Sequence, residues 1–175
     1  MVSPVSLAFM ALAALISVAV PVGAMLWIWS RRTPDGARRW PHVWRPFAVG
    51  ALAFVLAQVV TRMPLMALVV PNLPEPWPSV LMSGAAASFS AGLFEETARL
   101  LLMLWLLKHL RRWIDGVSFG LGHGGIEAVL LLGIANVNNL VLGVLINSGG
   151  WDAVTQTLPG ETSEQLRSAL VDTSP

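Results

Sequence analysis

Apolar residues dominate four long stretches of the chain, and polar residues are concentrated between them. Each stretch exceeds the roughly 20 residues that an α-helix needs to cross the hydrocarbon core of a bilayer. The four stretches are residues 5–29, 46–70, 79–107 and 116–147. The pattern therefore predicts an all-α, polytopic membrane protein, a bundle of about four transmembrane helices in a single domain that covers residues 1–175. The more polar residues 148–175 predict a short C-terminal segment with one helix that ends near Asp172.

Basic residues are concentrated in two of the connections between these stretches. Residues 31–45 contain five arginines, and residues 108–112 contain three further basic side chains. By contrast, residues 71–78 and 148–161 contain no Lys or Arg. The positive-inside rule places both basic connections in the cytoplasm, which predicts that the N-terminus lies outside.

Composition supports the membrane interpretation and excludes several kinds of chemistry. The chain is 55% hydrophobic and 12% charged, whereas a soluble domain has about 25% charged residues. The sequence contains no cysteine, which excludes disulfides, thiolate nucleophiles, Cys-ligated zinc and iron–sulfur clusters. The basic residues form two short clusters instead of one continuous face, so we expect the lipid bilayer, and no nucleic acid, as a partner.

Five ionisable residues interrupt the apolar third and fourth stretches. Because such residues cost about 2.5 to 3.5 kcal/mol each in mid-membrane, every one is a candidate functional residue. Glu95, Glu96 and Arg99 lie in the third stretch, and His123 and Glu127 lie in the fourth. At 1.5 Å per residue, Glu95 and His123 are about 20 Å and about 17 Å from the basic turn between the two stretches. We therefore expect them at the same depth and, in a buried cluster, within about 6 Å of each other or joined through one water.

Small residues repeat every four positions in the same two stretches. The repeats are Gly84, Ser88 and Gly92 in the third stretch and Gly116, Gly120 and Gly124 in the fourth. Stripes of this kind let helix backbones approach closely, and the short turn between the stretches predicts antiparallel neighbours. The two stripes are thus expected to pack the third helix against the fourth.

A glutamate and an imidazole at one depth can hold and deprotonate a water that attacks an amide carbonyl. A divalent metal held by Glu95, Glu96, His123 and Glu127 is a chemically possible alternative, because oxygen and imidazole ligands suit such ions. The structural alternatives are a buried ion-pair network that only pins two helices, and an interhelical hydrogen bond between His123 and Glu127.

Arg62 in the second stretch could face the same cavity as this buried cluster. Its place near the external end of the stretch favours snorkelling of the side chain to the interface.

The two motifs together resemble those of the glutamic-type intramembrane proteases, the superfamily of CAAX-processing and bacteriocin-processing membrane peptidases. Glu95-Glu96 with Arg99 is similar to the Glu-Glu motif followed by Arg, with Arg one residue earlier than in the commonest spacing. Phe119 with His123 matches the Phe-xxx-His motif, and the sequence Gly-His-Gly-Gly-Ile-Glu-Ala around His123 is closest to the bacterial YhfC branch.

The resemblance implies a multi-pass protein of the bacterial cytoplasmic membrane that cleaves membrane-embedded peptides or proteins. It implies that Glu95 is the general base, that Glu96 supports it, that His123 orients the water or stabilises its charge, and that Arg99 holds the acidic pair. A glutamate mechanism of this kind needs no cofactor. The superfamily's later His-xxx-Asn or His-xxx-Asp motif does not occur after Glu127, so we expect a truncated or shortened member.

Two functions of different classes follow. The first is an intramembrane endopeptidase with a water activated by Glu and His. The second is a non-enzymatic membrane scaffold, an immunity-type factor or a small ion or proton carrier, which the missing third motif favours.

Overall fold

The computed structural model describes residues 1–156 and 159–172, and in this part of the chain the backbone is mostly helical. The α-helices are α1 (Pro4–Ser30), α2 (Trp44–Phe54), α3 (Trp77–Leu81), α4 (Gly84–Trp105), α5 (Trp113–Ala128), α6 (Ile134–Ser148), α7 (Asp152–Thr155) and α8 (Gly160–Asp172). The all-α prediction is confirmed, as is the helix near the C-terminus. Residues 157, 158 and 173–175 of the predicted C-terminal segment lie outside the described residues.

Wider π-helical turns extend two of these helices. They are π1 (Val55–Arg62) and π2 (Leu65–Val69) after α2, and π3 (Val129–Gly133) between α5 and α6; a 3₁₀ turn, Val70–Asn72, follows π2. Pro64, between π1 and π2, cannot donate a backbone hydrogen bond, which disfavours regular α-helical geometry there. Such π-turns are frequent at functional sites.

Three helical runs among the described residues are long and apolar enough to cross a membrane: Pro4–Ser30, Trp44–Asn72 and Trp113–Ser148. The stretch expected to be a third span is interrupted, because α3 ends at Leu81 and Ser83 caps a new helix by accepting the N–H of Ala86 at 3.4 Å. Helix α4 has 22 residues, enough to span a bilayer, but it contains three charged side chains. A count of four spans and the external N-terminus therefore stay predictions.

One compact unit comprises Met1–Val20 and Ala128–Pro175. Its core contains Val2, Leu142, Val154 and Leu170. Asn147 at the end of α6 forms two hydrogen bonds with the backbone of Val2. Its side chain accepts the Val2 N–H and donates to the Val2 carbonyl, each at 2.8 Å. These paired bonds satisfy backbone groups that precede the first helical turn.

The second compact unit is Pro21–Glu127, and it contains every candidate site residue. Met25, Ile28, Val43 and Ile114 form a core where α1 ends and where α2 and α5 begin. Arg45 donates to the Leu106 carbonyl at 2.8 Å and so joins the start of α2 to the end of α4. Within this unit the ends of α1 and α4 thus lie together with the starts of α2 and α5. This is the arrangement expected when successive long helices alternate in direction.

One close helix contact in this unit is between α2 and α5, and glycine makes it possible. A Cβ at Gly50 would collide with the Phe119 carbonyl, and a Cβ at Gly122 would collide with the Phe47 carbonyl. The predicted packing of the two small-residue stripes is wrong. A Cβ at Gly84, Gly92, Gly116, Gly120 or Gly124 would meet no atom of the described chain within 4 Å. The α5 stripe lies on a different face of the helix from Gly122, because residues two apart point in different directions.

We expect Gly122→Ala to destabilise the protein by about 1 to 3 kcal/mol, since the added methyl group must displace the α2 backbone. Gly120→Ala is the matched control on the same helix. It adds the same group into open space and is expected to be neutral or stabilising by up to about 1 kcal/mol, because alanine favours helix. Thermal unfolding of the detergent-solubilised protein measures both, and equal midpoints for the two variants would contradict the α2–α5 contact.

Candidate functional site

Glu95 lies in the middle of α4, and both of its carboxylate oxygens accept hydrogen bonds. Oε1 accepts the side-chain amide of Gln58 at 2.6 Å, and Oε2 accepts Arg99 Nη2 at 3.2 Å. The Glu95 side chain is 18% exposed. Arg99 is one helical turn along α4, and its charge compensates the carboxylate in a region where an isolated charge would be costly.

His123 on α5 reaches the same carboxylate. Its Nε2 is 3.3 Å from Glu95 Oε2, so the predicted approach of the two residues within about 6 Å is confirmed. The ring of Phe54 meets the imidazole edge-on at 5.5 Å between centroids, and the ring of Phe119 is nearly parallel to it at 6.4 Å. Phe119 precedes His123 by one helical turn, which explains why their rings lie one above the other. The two aromatic rings fix the orientation of the imidazole.

The imidazole has one nitrogen in the polar cluster and one without a partner. Nε2 lies 3.3 Å from the Arg99 Nε–H and 3.3 Å from Glu95 Oε2, so in a neutral ring it either accepts from arginine or donates to glutamate. In both tautomers Nδ1 is buried and has no hydrogen-bond partner in the described part of the chain. A buried polar atom without a protein partner costs about 1 to 3 kcal/mol, and a catalytic role and a bound water are two ways in which such a cost is explained.

Arg99 contacts three polar side chains of the cluster, which are those of Glu95, Glu96 and His123. In addition to Glu95 and His123, it forms a 2.8 Å ion pair with Glu96 through Nη1. Arg99 therefore forms ion pairs with both glutamates of the pair. The guanidinium also lies close to both potential water-activating groups, where it can stabilise negative charge that develops beside them.

Gln58 and Arg62 belong to the same cluster, although sequence analysis did not assign Gln58 a role. Both lie in π1, and Arg62 Nη1 is 3.3 Å from Gln58 Oε1. Arg62 also donates to Ser90 Oγ at 3.1 Å and to the Ala87 carbonyl at 2.6 Å, so its guanidinium faces α4. The sequence signal that could have identified Gln58 is a side-chain amide in an apolar stretch, four residues before Arg62.

Two predicted members of the buried cluster do not fit it. Glu96 is 71% exposed and joins the cluster through Arg99, because the adjacent position on a helix points about 100° away from Glu95. Glu127 is half-buried and forms no hydrogen bond or ion pair with any residue that the structure describes. The alternative of a hydrogen bond between His123 and Glu127 is therefore not supported.

A groove of about 330 Å³ borders the cluster. Arg99, His123 and Glu127 line it, together with Gly116, Gly120 and Gly124 of α5. Without side chains at these three positions, another polypeptide backbone can approach α5 closely. The open groove thus occupies the face where sequence analysis expected a packed helix.

The four residues considered as metal ligands do not converge. Among residues 1–156 and 159–172 no group of three or more His, Asp or Glu side chains is arranged to hold a metal ion. Only Glu95 and His123 meet, and catalytic zinc sites use three protein ligands. The guanidinium of Arg99 is within hydrogen-bonding distance of both. A cation at that position is disfavoured by this neighbouring positive charge.

Comparisons with known proteins agree with the motifs. The family model described as YhfC intramembrane metalloprotease matches residues 5–175. The "Uncharacterized membrane protein YhfC" of Bacillus subtilis (strain 168) is 33% identical over 155 residues, which is 87% of this chain and 57% of that protein. The chain thus spans little more than half the length of this relative. No solved structure matches. Together with the three apolar helical runs, these similarities identify an integral, multi-pass membrane protein.

We expect a measurable coupling between Gln58 and Glu95, because hydrogen bonds to charged groups contribute about 1.5 to 3 kcal/mol. A double-mutant cycle with Gln58→Leu and Glu95→Gln, measured by denaturant unfolding in detergent, isolates this coupling free energy.

Thr61→Val combined with Glu95→Gln is the control cycle. Thr61 is also in π1 but donates to the Leu56 carbonyl at 2.7 Å, so its coupling to Glu95 should be near zero. Additive effects of the Gln58 and Glu95 variants would show that the 2.6 Å contact does not position the carboxylate.

Proposed function

We propose that this chain, which belongs to the YhfC intramembrane metalloprotease family, hydrolyses peptide bonds in or beside the membrane with a water that Glu95 and His123 activate. The observation that supports this most directly is the 3.3 Å contact between Glu95 Oε2 and His123 Nε2. The substrate class is a membrane-embedded peptide or protein. The groove beside His123 is the place where its backbone would bind.

In the proposed reaction, Glu95 is the general base. Its carboxylate takes a proton from a water whose oxygen forms a bond to the carbonyl carbon of the scissile amide. Although Glu95 already accepts from Gln58 and Arg99, a carboxylate has about four acceptor positions, and one can face a water. The proton then passes from Glu95 to the amide nitrogen as the C–N bond breaks. The products are a carboxylic acid and an amine, so one water is consumed for each bond cleaved.

The neighbouring side chains have distinct roles in this proposal. The N–H groups of Arg99, and of His123 when Nε2 is protonated, stabilise the negative charge that develops on the carbonyl oxygen. Gln58, held by Arg62, fixes the orientation of the Glu95 carboxylate. Glu96 balances the charge of Arg99, and Glu127 lines the groove without a direct contact to the reacting groups.

The description of the family implies a bound metal ion, yet the described residues do not supply a metal site. Glu95 and His123 supply only two donor side chains, and the Arg99 guanidinium lies beside both. A catalytic zinc ion needs three protein ligands. The proposed steps therefore use only the side chains of this chain.

A second candidate is a non-enzymatic function, as a scaffold, an immunity-type factor or a small ion or proton carrier. One observation favours it: both oxygens of Glu95 have donors already, as in a network that only joins π1, α4 and α5. In that case Glu95→Gln would change folding or ion flux, and no proteolysis would occur with or without it.

The decisive experiment measures cleavage of a panel of single-span reporter proteins co-expressed in bacterial membranes. We expect Glu95→Gln and His123→Ala each to lower the cleavage rate by at least about a hundredfold, the usual contribution of general acid–base catalysis.

Glu75→Gln is the control, because it makes the same chemical change in the loop between the second and third apolar stretches. It should leave the cleavage rate unchanged. Normal cleavage by both site variants would eliminate the mechanism, and absence of cleavage by the wild type across the panel would favour the non-enzymatic function.

We also expect the cleavage rate to survive treatment of the purified protein with EDTA or phenanthroline. The physical reason is that Arg99 already provides the positive charge beside Glu95 and His123. Loss of activity on chelation, with recovery on addition of Zn²⁺, would replace the glutamate mechanism with a metal mechanism.

A further inference from the structure

The loop after α1 folds back on itself and brings four arginines together. Arg32 and Arg38 form an antiparallel bridge, and the Arg39 N–H donates to the Arg31 carbonyl at 2.9 Å. Gly36, with φ of +84°, closes the turn, a backbone conformation that glycine adopts without strain. The backbone therefore holds Arg31 beside Arg39, although like charges placed opposite each other are destabilising.

The four arginines outnumber the acidic side chains of the loop. Within the part of the chain that the structure describes, Arg31, Arg32, Arg38 and Arg39 form no salt bridge. Asp35 is the sole carboxylate of the loop, and hydrogen bonds from Thr33 and from backbone N–H groups at Asp35 and Ala37 hold its pKa below the usual value. Asp115 on α5 is paired with Arg112 at 2.8 Å.

One of the four arginines is separated from the others. Arg38 donates to the Trp29 carbonyl at 2.9 Å, and its guanidinium lies 3.2 Å from the centroid of the Trp29 ring. The remaining three, Arg31, Arg32 and Arg39, line one pocket of about 430 Å³. Arg32 also donates through Nη1 to the Gly36 carbonyl at 2.9 Å. Three basic residues thus line one pocket, and no carboxylate is among its lining residues.

Tryptophan rings form the walls of this pocket. Trp27, Trp40 and Trp113 line it, and Trp40 and Trp113 meet edge-to-face at 5.7 Å. The Arg31 guanidinium lies 4.1 Å from the centroid of the Trp27 ring, which orients it, and Ile28 and Val117 add an apolar surface. The pocket lies where α1 ends and α5 begins, which are ends of two membrane-spanning runs. Tryptophan is enriched at this level of a bilayer, where lipid headgroups lie.

We propose that this pocket binds the phosphate headgroup of an anionic phospholipid. The phosphate lies between Arg31, Arg32 and Arg39, which relieves their mutual repulsion through charge-assisted hydrogen bonds. The first methylene groups of the lipid contact the tryptophan rings, Ile28 and Val117. Basic pockets between membrane helices recognise anionic lipids in this way. A free phosphate would satisfy the arginines but would leave the apolar walls unused.

Native mass spectrometry of the full chain in detergent tests the proposal. The probe is dioctanoyl phosphatidylglycerol, compared with dioctanoyl phosphatidylcholine, which has the same chains without net charge, and with glycerol phosphate, which has the anion without chains. We expect the phosphatidylglycerol to bind more tightly than either. Arg31→Gln with Arg39→Gln should weaken its binding by about 25-fold, since each basic side chain contributes roughly fivefold near an anionic headgroup.

Lys108→Gln with Arg111→Gln is the matched control, because it removes two positive charges from the other basic connection, outside the pocket. It should leave the affinity nearly unchanged. Size-exclusion profiles and circular dichroism identify any variant that fails to fold, and Arg31→Lys with Arg39→Lys, which keeps the charge, should retain most of the binding. Equal losses in the Gln pair and the control pair would overturn the proposal, as would equal affinity for the two lipids. Tight binding of glycerol phosphate alone would replace the lipid with a soluble phosphate.

Discussion

A carboxylate in an apolar helical segment must be compensated, and the rest of the site follows from how Glu95 meets this requirement. An ionised group loses several kcal/mol of solvation when it leaves water, so it persists only with charged or hydrogen-bonding partners. Gln58 at 2.6 Å and Arg99 at 3.2 Å provide these partners, and Arg62 holds Gln58 in turn. These contacts fix π1 against α4. A carboxylate oriented in this way, with His123 at 3.3 Å, is arranged for proton transfer.

Close backbone packing decides where the imidazole can be. Gly50 and Gly122 allow α2 and α5 to approach until carbonyl oxygens occupy the space of a side chain. His123 follows Gly122 directly, so the same contact that joins these helices aims the imidazole past Phe54 towards α4. The glycines at 116, 120 and 124 have the opposite role: their missing side chains leave a groove open beside the site. Glycine thus allows close packing on one face of α5 and access on another.

Two of the charged groups in the chain have different physical requirements. The cluster around Glu95 is balanced in charge, because Arg99 and Arg62 offset Glu95 and the more exposed Glu96. The loop at residues 31–39 is unbalanced, and its arginines rely on tryptophan rings and backbone carbonyls for partners. At the level of lipid headgroups such an excess is tolerated, since anionic lipids and water are both available there. These two groups therefore differ in net charge: the cluster around Glu95 is balanced, and the loop at residues 31–39 has an excess of positive charge.

Sequence alone determined the class of the protein, its long apolar helical runs and the approach of Glu95 to His123. Hydrophobic runs of about 25 residues indicate membrane helices because the bilayer leaves few alternatives, and Glu95 and His123 stand out because ionisable residues are costly there. Sequence did not determine which glycines pack, that Glu96 points outward, that Glu127 has no hydrogen-bond partner among the residues described by the structure, or that Gln58 and Arg62 complete the network. Those outcomes depend on the rotation of each helix about its axis, on the π-turns of π1 and on the break at Ser83. Tertiary packing sets these because rotating a helix by about 40°, the angle between positions i and i+4, exchanges one neighbour for another while the hydrophobic pattern stays the same.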